Sequence, residues 1–269
     1  TPVKLSGEFN NDFSKSEFIL EYIPGNQYDI SIQSLETTNM VDIIYIGISN
    51  NIYLLADDIT IINSVTNVSY DTIKLDNNTD SKKIIFNPIN NYIHVLTSDK
   101  IYTIDPILNK VLLDKTLLIN YQPNDIDINL SNGDIYITSD SGIYIYDLNV
   151  NFVKILISST SATSLCYNYN DMDMYVNSQL GIIRIDATSK NIHTIFDILP
   201  LVDSQVIFDP YNLRVYVFTN TFLYYIENNL AIKDTIPTLT KNYILHKSTN
   251  PKNIKNLMTN IYRQAKIKI

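Results

Sequence analysis

Apolar and polar residues alternate along most of this chain in short runs, each closed by Asn, Asp, Gly or Pro. A period of two is the mark of a β-strand, and such punctuation marks turns between strands. The runs also recur in register. Ile93-His94-Val95-Leu96-Thr97 is matched 42 residues on by Ile135-Tyr136-Ile137-Thr138-Ser139. A further 39 residues lead to Met174-Tyr175-Val176-Asn177-Ser178, and 41 more to Val215-Tyr216-Val217-Phe218-Thr219. The same shifts align Ile101–Asp105 with Ile143–Asp147, Ile182–Asp186 and Leu223–Glu227. They also align Ile84–Asn87 with Ile126–Asn129, Leu165–Asn168 and Val206–Asp209. Three segments holding one register through four copies define a repeat of about forty residues. A weaker fifth copy lies upstream, with Ile44-Tyr45-Ile46-Gly47 and Ile52-Tyr53-Leu54-Leu55 in matching roles.

Each copy holds three such strands and a fourth, as in Lys110–Leu113 and Phe152–Leu156. Four strands in about forty residues is the arithmetic of one propeller blade. In Ile135-Tyr136-Ile137 both strand faces are apolar or aromatic, which suits a sheet covered on both sides. The expected fold class is therefore all-β: a β-propeller of four-stranded antiparallel blades, five in number, or six if the termini build a composite one, with a short C-terminal α-helix.

The stretch Asp209-Pro210-Tyr211-Asn212-Leu213-Arg214-Val215-Tyr216-Val217, with the later Ile226-Glu227, resembles the YVTN or quinoprotein-like class of β-propeller repeats. Asn87-Pro88 through Asp105 repeats the likeness, and it spans roughly residues 40 to 236. The resemblance implies binding and scaffold roles more often than catalysis. The Trp-Asp repeat class is excluded because the chain has no Trp.

The flanks complete the domain plan. Residues 1–40 hold two strands, Glu17–Ile23 and Tyr28–Ile32, around Pro24-Gly25-Asn26, and the second could be the innermost strand of the first blade. Residues 41–236 are the blades, and 237–269 add a strand at Asn242–His246 and a basic helix. Thr249-Asn250-Pro251 reads as a helix start, and Ile254, Leu257, Met258, Ile261, Tyr262 and Ala265 share one helical face. From Lys247 onward there are six basic residues and no acidic one, leaving 14 Lys and Arg against 28 Asp and Glu in the rest. Two readings of this helix stay open: docking on a partner through Lys252, Lys255, Ile261, Tyr262, Arg263 and Lys266, or packing on its own acidic body. An acidic body repels phosphate, so nucleic acid is not an expected partner of the blades. No 18-residue apolar run predicts a membrane span. The one cysteine, Cys166, lies in a strand and suits a buried core position.

Candidate chemistry is sparse. His94, His193 and His246 lack metal-ligand spacing, and His94 stands where the other copies carry Tyr, which favours a structural role. No phosphate loop, nucleophile elbow or Cys-His pair occurs, and no cofactor is expected. The candidate central-channel residues are Lys83, Asp125, Ser164 and Gln205, which share one column, with Asp127 and Asp203 beside it. That mixture suits a polar lining better than a cation cage, so neither a metal nor a catalytic residue is assigned. The function expected is a non-enzymatic propeller for structure or protein interaction, possible within a virus or phage particle, with a protein partner or self-assembly. The alternative is a propeller hydrolase or lyase using channel carboxylates or a divalent metal. A virion or extracellular surface is favoured over the cytoplasm.

Overall fold

The fold is known from a computed structural model that describes residues 19–22, 28–31, 41–66, 68–76, 80–118, 122–196, 204–209, 213–218, 222–227 and 230–237. A two-stranded hairpin, β1 (Ile19–Tyr22) and β2 (Tyr28–Ser31), comes first. Five four-stranded antiparallel sheets follow. The first is β3 (Asp42–Ile46), β4 (Asn51–Leu55), β5 (Ile59–Asn63) and β6 (Val68–Ile73). The second is β7 (Ser81–Asn87), β8 (Tyr92–Thr97), β9 (Lys100–Asp105) and β10 (Lys110–Thr116). The third is β11 (Pro123–Ile128), β12 (Ile135–Ser139), β13 (Gly142–Tyr146) and β14 (Phe152–Ser158). The fourth is β15 (Ala162–Asn168), β16 (Asp173–Ser178), β17 (Gly181–Asp186) and β18 (Asn191–Phe196). The fifth is β19 (Gln205–Asp209), β20 (Arg214–Phe218), β21 (Phe222–Glu227) and β22 (Leu230–Pro237).

Within each sheet the strands pair in chain order, because short turns let only antiparallel neighbours meet. The turns use the expected chemistry. Asn87, Asn129 and Asn168 each end a first strand and accept a main-chain N–H two residues on, at 3.1, 2.9 and 2.9 Å. Asp105, Asp147 and Asp186 do the same after the third strands. Asn50, Asn91 and Asn109 take the left-handed backbone that Asn tolerates best among side-chain-bearing residues.

The sheets stand side by side. β3 lies against β7, β7 against β11, β11 against β15, and β15 against β19. Four apolar layers fill the gaps between neighbours. Tyr53, Leu55 and Ile61 meet Ile84, Ile93 and Val95 in the first layer. Ile85, Leu96 and Ile101 meet Ile126, Ile135 and Tyr144 in the second. Tyr136, Ile143 and Ile145 meet Leu165, Val176 and Ile183 in the third. Cys166 and Tyr175 meet Val206, Val215 and Val217 in the fourth. β12, β13 and β16 are buried along their whole length, as strands covered on both faces must be. The fourth strands form the exposed rim. Val111, Leu112 and Leu113 of β10, and Phe152, Val153 and Ile155 of β14, meet solvent. A break in register marks the pairing of every fourth strand with its third, and such bulges discourage edge-to-edge pairing with another chain.

Three expectations need correction. The sheets are five separate units, and among the described residues no strand of the first pairs with one of the last, so a closed propeller is not formed. The forty-residue repeat specifies the four-stranded unit and its neighbour contacts. Closure is a property of the chain ends, which the repeat does not encode. Among the described residues the hairpin strand β2 pairs with β1 alone, and the first sheet begins at β3 instead. No helix occurs among the described residues. The expected helix, its docking candidates Lys252, Lys255, Ile261, Tyr262, Arg263 and Lys266, and the strand at Asn242–His246 lie outside them.

Candidate functional site

Each first strand is an edge of its own sheet, so alternate N–H groups face the neighbouring sheet without a main-chain partner. Buried amides of this kind must find another acceptor. The polar column of the first strands supplies it. Asp42 Oδ2 accepts from Ile84 N–H at 3.2 Å, Asp125 Oδ2 from Leu165 N–H at 3.0 Å, and Ser164 Oγ from Val206 N–H at 2.9 Å. In each case the side chain belongs to one sheet and the amide to the next. The other carboxylate oxygen turns inward: Asp42 Oδ1 accepts from Ile43 N–H at 2.9 Å and Asp125 Oδ1 from Ile126 N–H at 2.9 Å. Asp127, two residues along, repeats the device with Ile128 and Tyr167 amides at 3.0 and 2.9 Å.

Asp125 carries one contact more. Lys83 Nζ of the second sheet donates to Asp125 Oδ1, pairing the two charges at a partly buried site. Thus Lys83, Asp125 and Asp127 are brought together, and Ser164 continues their line. Gln205 occupies the same column but is exposed, and Asp203 lies outside the described residues. Their chemistry here is that of interlocks. Acceptor oxygens already filled by amides and an ammonium have little capacity left for a cation or a water nucleophile. Among the described residues no group of three His, Cys, Asp or Glu side chains could hold a metal ion.

Two further rows bind sheet to sheet, and neither was legible as such from the sequence. At the end of the first strands, Asn87 Nδ2 donates to Gly133 O at 3.1 Å and Asn129 Nδ2 to Ala187 O at 3.0 Å. On the second strands, Tyr53 OH donates to Pro106 O at 2.9 Å and Tyr136 OH to Ala187 O at 3.2 Å. Burial raises the pKa of both phenols, which keeps them as donors. The signal was present: the same residue type recurs at one repeat position. What it bonds to lies in the next copy. Changing Tyr136 to Phe is expected to cost about 1 kcal/mol, since Asn129 still serves the Ala187 carbonyl. Urea unfolding checks this.

A second polar cluster crosses the fourth sheet. Arg184 Nε donates to Asp173 Oδ2, its Nη2 lies 3.4 Å from Asp171 Oδ2, and Tyr175 OH donates to the same Asp171 oxygen at 2.6 Å. Burial raises the Asp173 pKa while the Arg184 hydrogen bond opposes that rise. His193 Nδ1 stands 3.8 Å from Asp173 and is largely exposed. The cluster pairs its charges internally.

The remaining repeated feature is apolar. Asp125 and Asp127 reach Leu165 and Tyr167 in the same order, so β11 and β15 run parallel and their sheets share one orientation. The turns after the first and third strands then lie at the same end of the array. Those turns expose Ile48, Val65, Ile89, Ile107, Leu108, Met172 and Leu213, with Ile107 at 72%. Single exposed apolar residues are ordinary, but one or more on the turns of four sheets at one end is not.

No family model matches the chain, and no curated protein matches it. Solved structures do. Two crystal structures of the extracellular domain of one B. thetaiotaomicron protein are similar to it. In the first, described as a proposed one component system, the TM-score is 0.62 at 13% identity, over 88% of this chain and 34% of that one. In the second, described as a proposed hybrid two component system, the TM-score is 0.61 at 12% identity, over 93% and 35%. This chain spans about a third of the length of those it matches, and the likeness is one of fold. These findings overturn the resemblance to the YVTN or quinoprotein-like repeats, which no family model supports. They also remove the ground for both functional expectations. Among the described residues there is no closed propeller to act as a particle scaffold and no metal-binding group for a hydrolase or lyase. Among the described residues no helix is long and apolar enough to cross a membrane.

Proposed function

We propose that the chain is an extracellular recognition domain that docks a protein surface with the turn end of its sheets. The observation that carries this reading is the set of apolar side chains at that end, Ile107 and Leu108 foremost. Neither contributes to the layers between sheets, so folding gives no reason for apolar residues there. The likeness to the extracellular domain of a protein described as a one component or hybrid two component system supports the placement, and it supports a part played within a longer protein. The partner is a protein or a further copy of this chain.

The test has two arms. Intact source cells treated with a membrane-impermeant amine reagent should label this chain without lysis. Labelling only after lysis contradicts the extracellular placement. A chain with Ile107 and Leu108 both changed to Ser should keep its melting temperature and lose cross-linked products on those cells. Unchanged cross-linking would contradict the use of this end.

A further inference from the structure

The four junctions between sheets are not alike, and the one between the second and third sheets departs from the rule twice. In the column that supplies acceptors to the next sheet, Asp42, Asp125 and Ser164 all reach across. Lys83 holds that position in the second sheet, and an ammonium cannot accept. The Ile126 amide, which the rule would satisfy from the second sheet, turns to Asp125 of its own strand. In the tyrosine row, Tyr53 and Tyr136 reach carbonyls of the next sheet, while Tyr175 bonds Asp171 of its own sheet. His94 holds that position in the second sheet, and its ring is too short to make the same reach. Its Nδ1 lies 3.1 Å from Thr103 Oγ1 within its own sheet, and its Nε2 is buried with no partner. The carbonyl at the matching place in the third sheet, that of Leu148, is served by Asn90 at 3.2 Å.

We propose that the junction between the second and third sheets is a seam built to open, and that acid opens it. What crosses it is the apolar layer, the Lys83–Asp125 pair and a few turn contacts, among them Asn87 to Gly133 and Lys115 to Asn151. The charged or titratable groups facing His94 are few. Lys83 lies two positions from its cross-strand partner Ile85 on β7, β9 offers the neutral Thr103, β11 and β12 offer Ile126, Ile128, Ile135 and Ile137, and β13 offers the phenols of Tyr144 and Tyr146. Asp125, beside Ile126 on β11, is committed to Lys83 and two amides. Among the described residues nothing on that face can balance an imidazolium. A proton arriving at His94 therefore favours any state in which the ring meets water, and parting two sheets achieves this without unfolding either. An opened seam would also change the spacing of the turn ends on either side, which links the device to the docking end, although the seam does not depend on that reading.

Hydrogen exchange read by mass spectrometry on the whole chain, corrected for intrinsic rates, tests this at about pH 7 and about pH 4.5. Peptides covering β8, β11 and β12 should lose protection first on acidification, by more than about tenfold, while β15 and β16 keep theirs. His94→Tyr should abolish that selective loss, and His94→Phe serves if the tyrosine does not fit. Loss beginning at another junction, even loss over all five sheets, or an acid response that survives both substitutions would overturn the proposal.

Discussion

A chain with Asp125 changed to alanine is expected to be less stable by about 3–5 kcal/mol, a large part of the margin of an ordinary domain. The carboxylate holds Ile126 and Leu165 amides and the Lys83 ammonium at once. Its removal leaves a buried N–H in the fourth sheet without an acceptor and a partly buried cation without its counter-charge. Each loss is costly because the surrounding medium cannot replace the bond. Asp127 serves two amides and its loss does not strand the Lys83 ammonium, so Asp127→Ala should cost less, about 1–3 kcal/mol. Urea midpoints of the two variants, with an unchanged slope, give both numbers. Equal effects would mean that the Lys83 pair contributes nothing.

The stability of the wild-type chain should fall by about 3 kcal/mol as pH drops from the ordinary histidine range to about 4. Burial alone pulls the His94 pKa from 6.5 down to about 4. A group whose folded pKa is depressed binds its proton more readily in the unfolded chain. The unfolded state therefore gains protons first, between about 6.5 and 4, and the fold loses stability over that interval and not above it. His94→Tyr should flatten the curve there and add a cross-sheet bond like those of Tyr53 and Tyr136. Asp76, held low by its Lys100 hydrogen bond, and Asp186, held low by the Ser189 amide, act in a separate window beneath the usual carboxylate range. Thermal unfolding across this pH series, on both proteins, separates the two windows. A wild-type curve that is level from pH 6.5 to 4 would contradict the assignment.

The four-stranded unit was legible because period-two patterning, Asn and Asp turns and a fixed repeat all follow from local backbone preference. Ile135–Ser139 and Gly142–Tyr146 pair as their alternation requires, and Asn87, Asn129 and Asn168 sit at the turns that their side chains build. That the sheets do not close into a ring was not legible, because closure turns on contacts between chain ends and not on any repeat position. The polar column was legible, but the bonds it makes to the next sheet were not. Asp125 looks like a channel carboxylate when only its own strand is in view. Its true partner, the Leu165 amide, stands 40 residues away and exists as an open donor only because β15 is an edge strand. Substitutions within a repeat column proved the better guide. His94 in a row of tyrosines and Lys83 in a row of acceptors both mark the junction that departs in both rows. The apolar turn end escaped notice because Ile48, Ile89, Ile107 and Leu213 belong to different turns, and only the common orientation of the sheets brings them to one side.

The central claim is that polar side chains of the first strands act as acceptors for the neighbouring sheet. Amide hydrogen exchange at Ile84, Leu165, Tyr167 and Val206, resolved by NMR, tests it most directly. These four N–H groups belong to edge strands and bond to Asp42, Asp125, Asp127 and Ser164. The account predicts slow exchange, within about tenfold of the main-chain ladder amides beside them. Exchange at the rate of open edge-strand amides would contradict it.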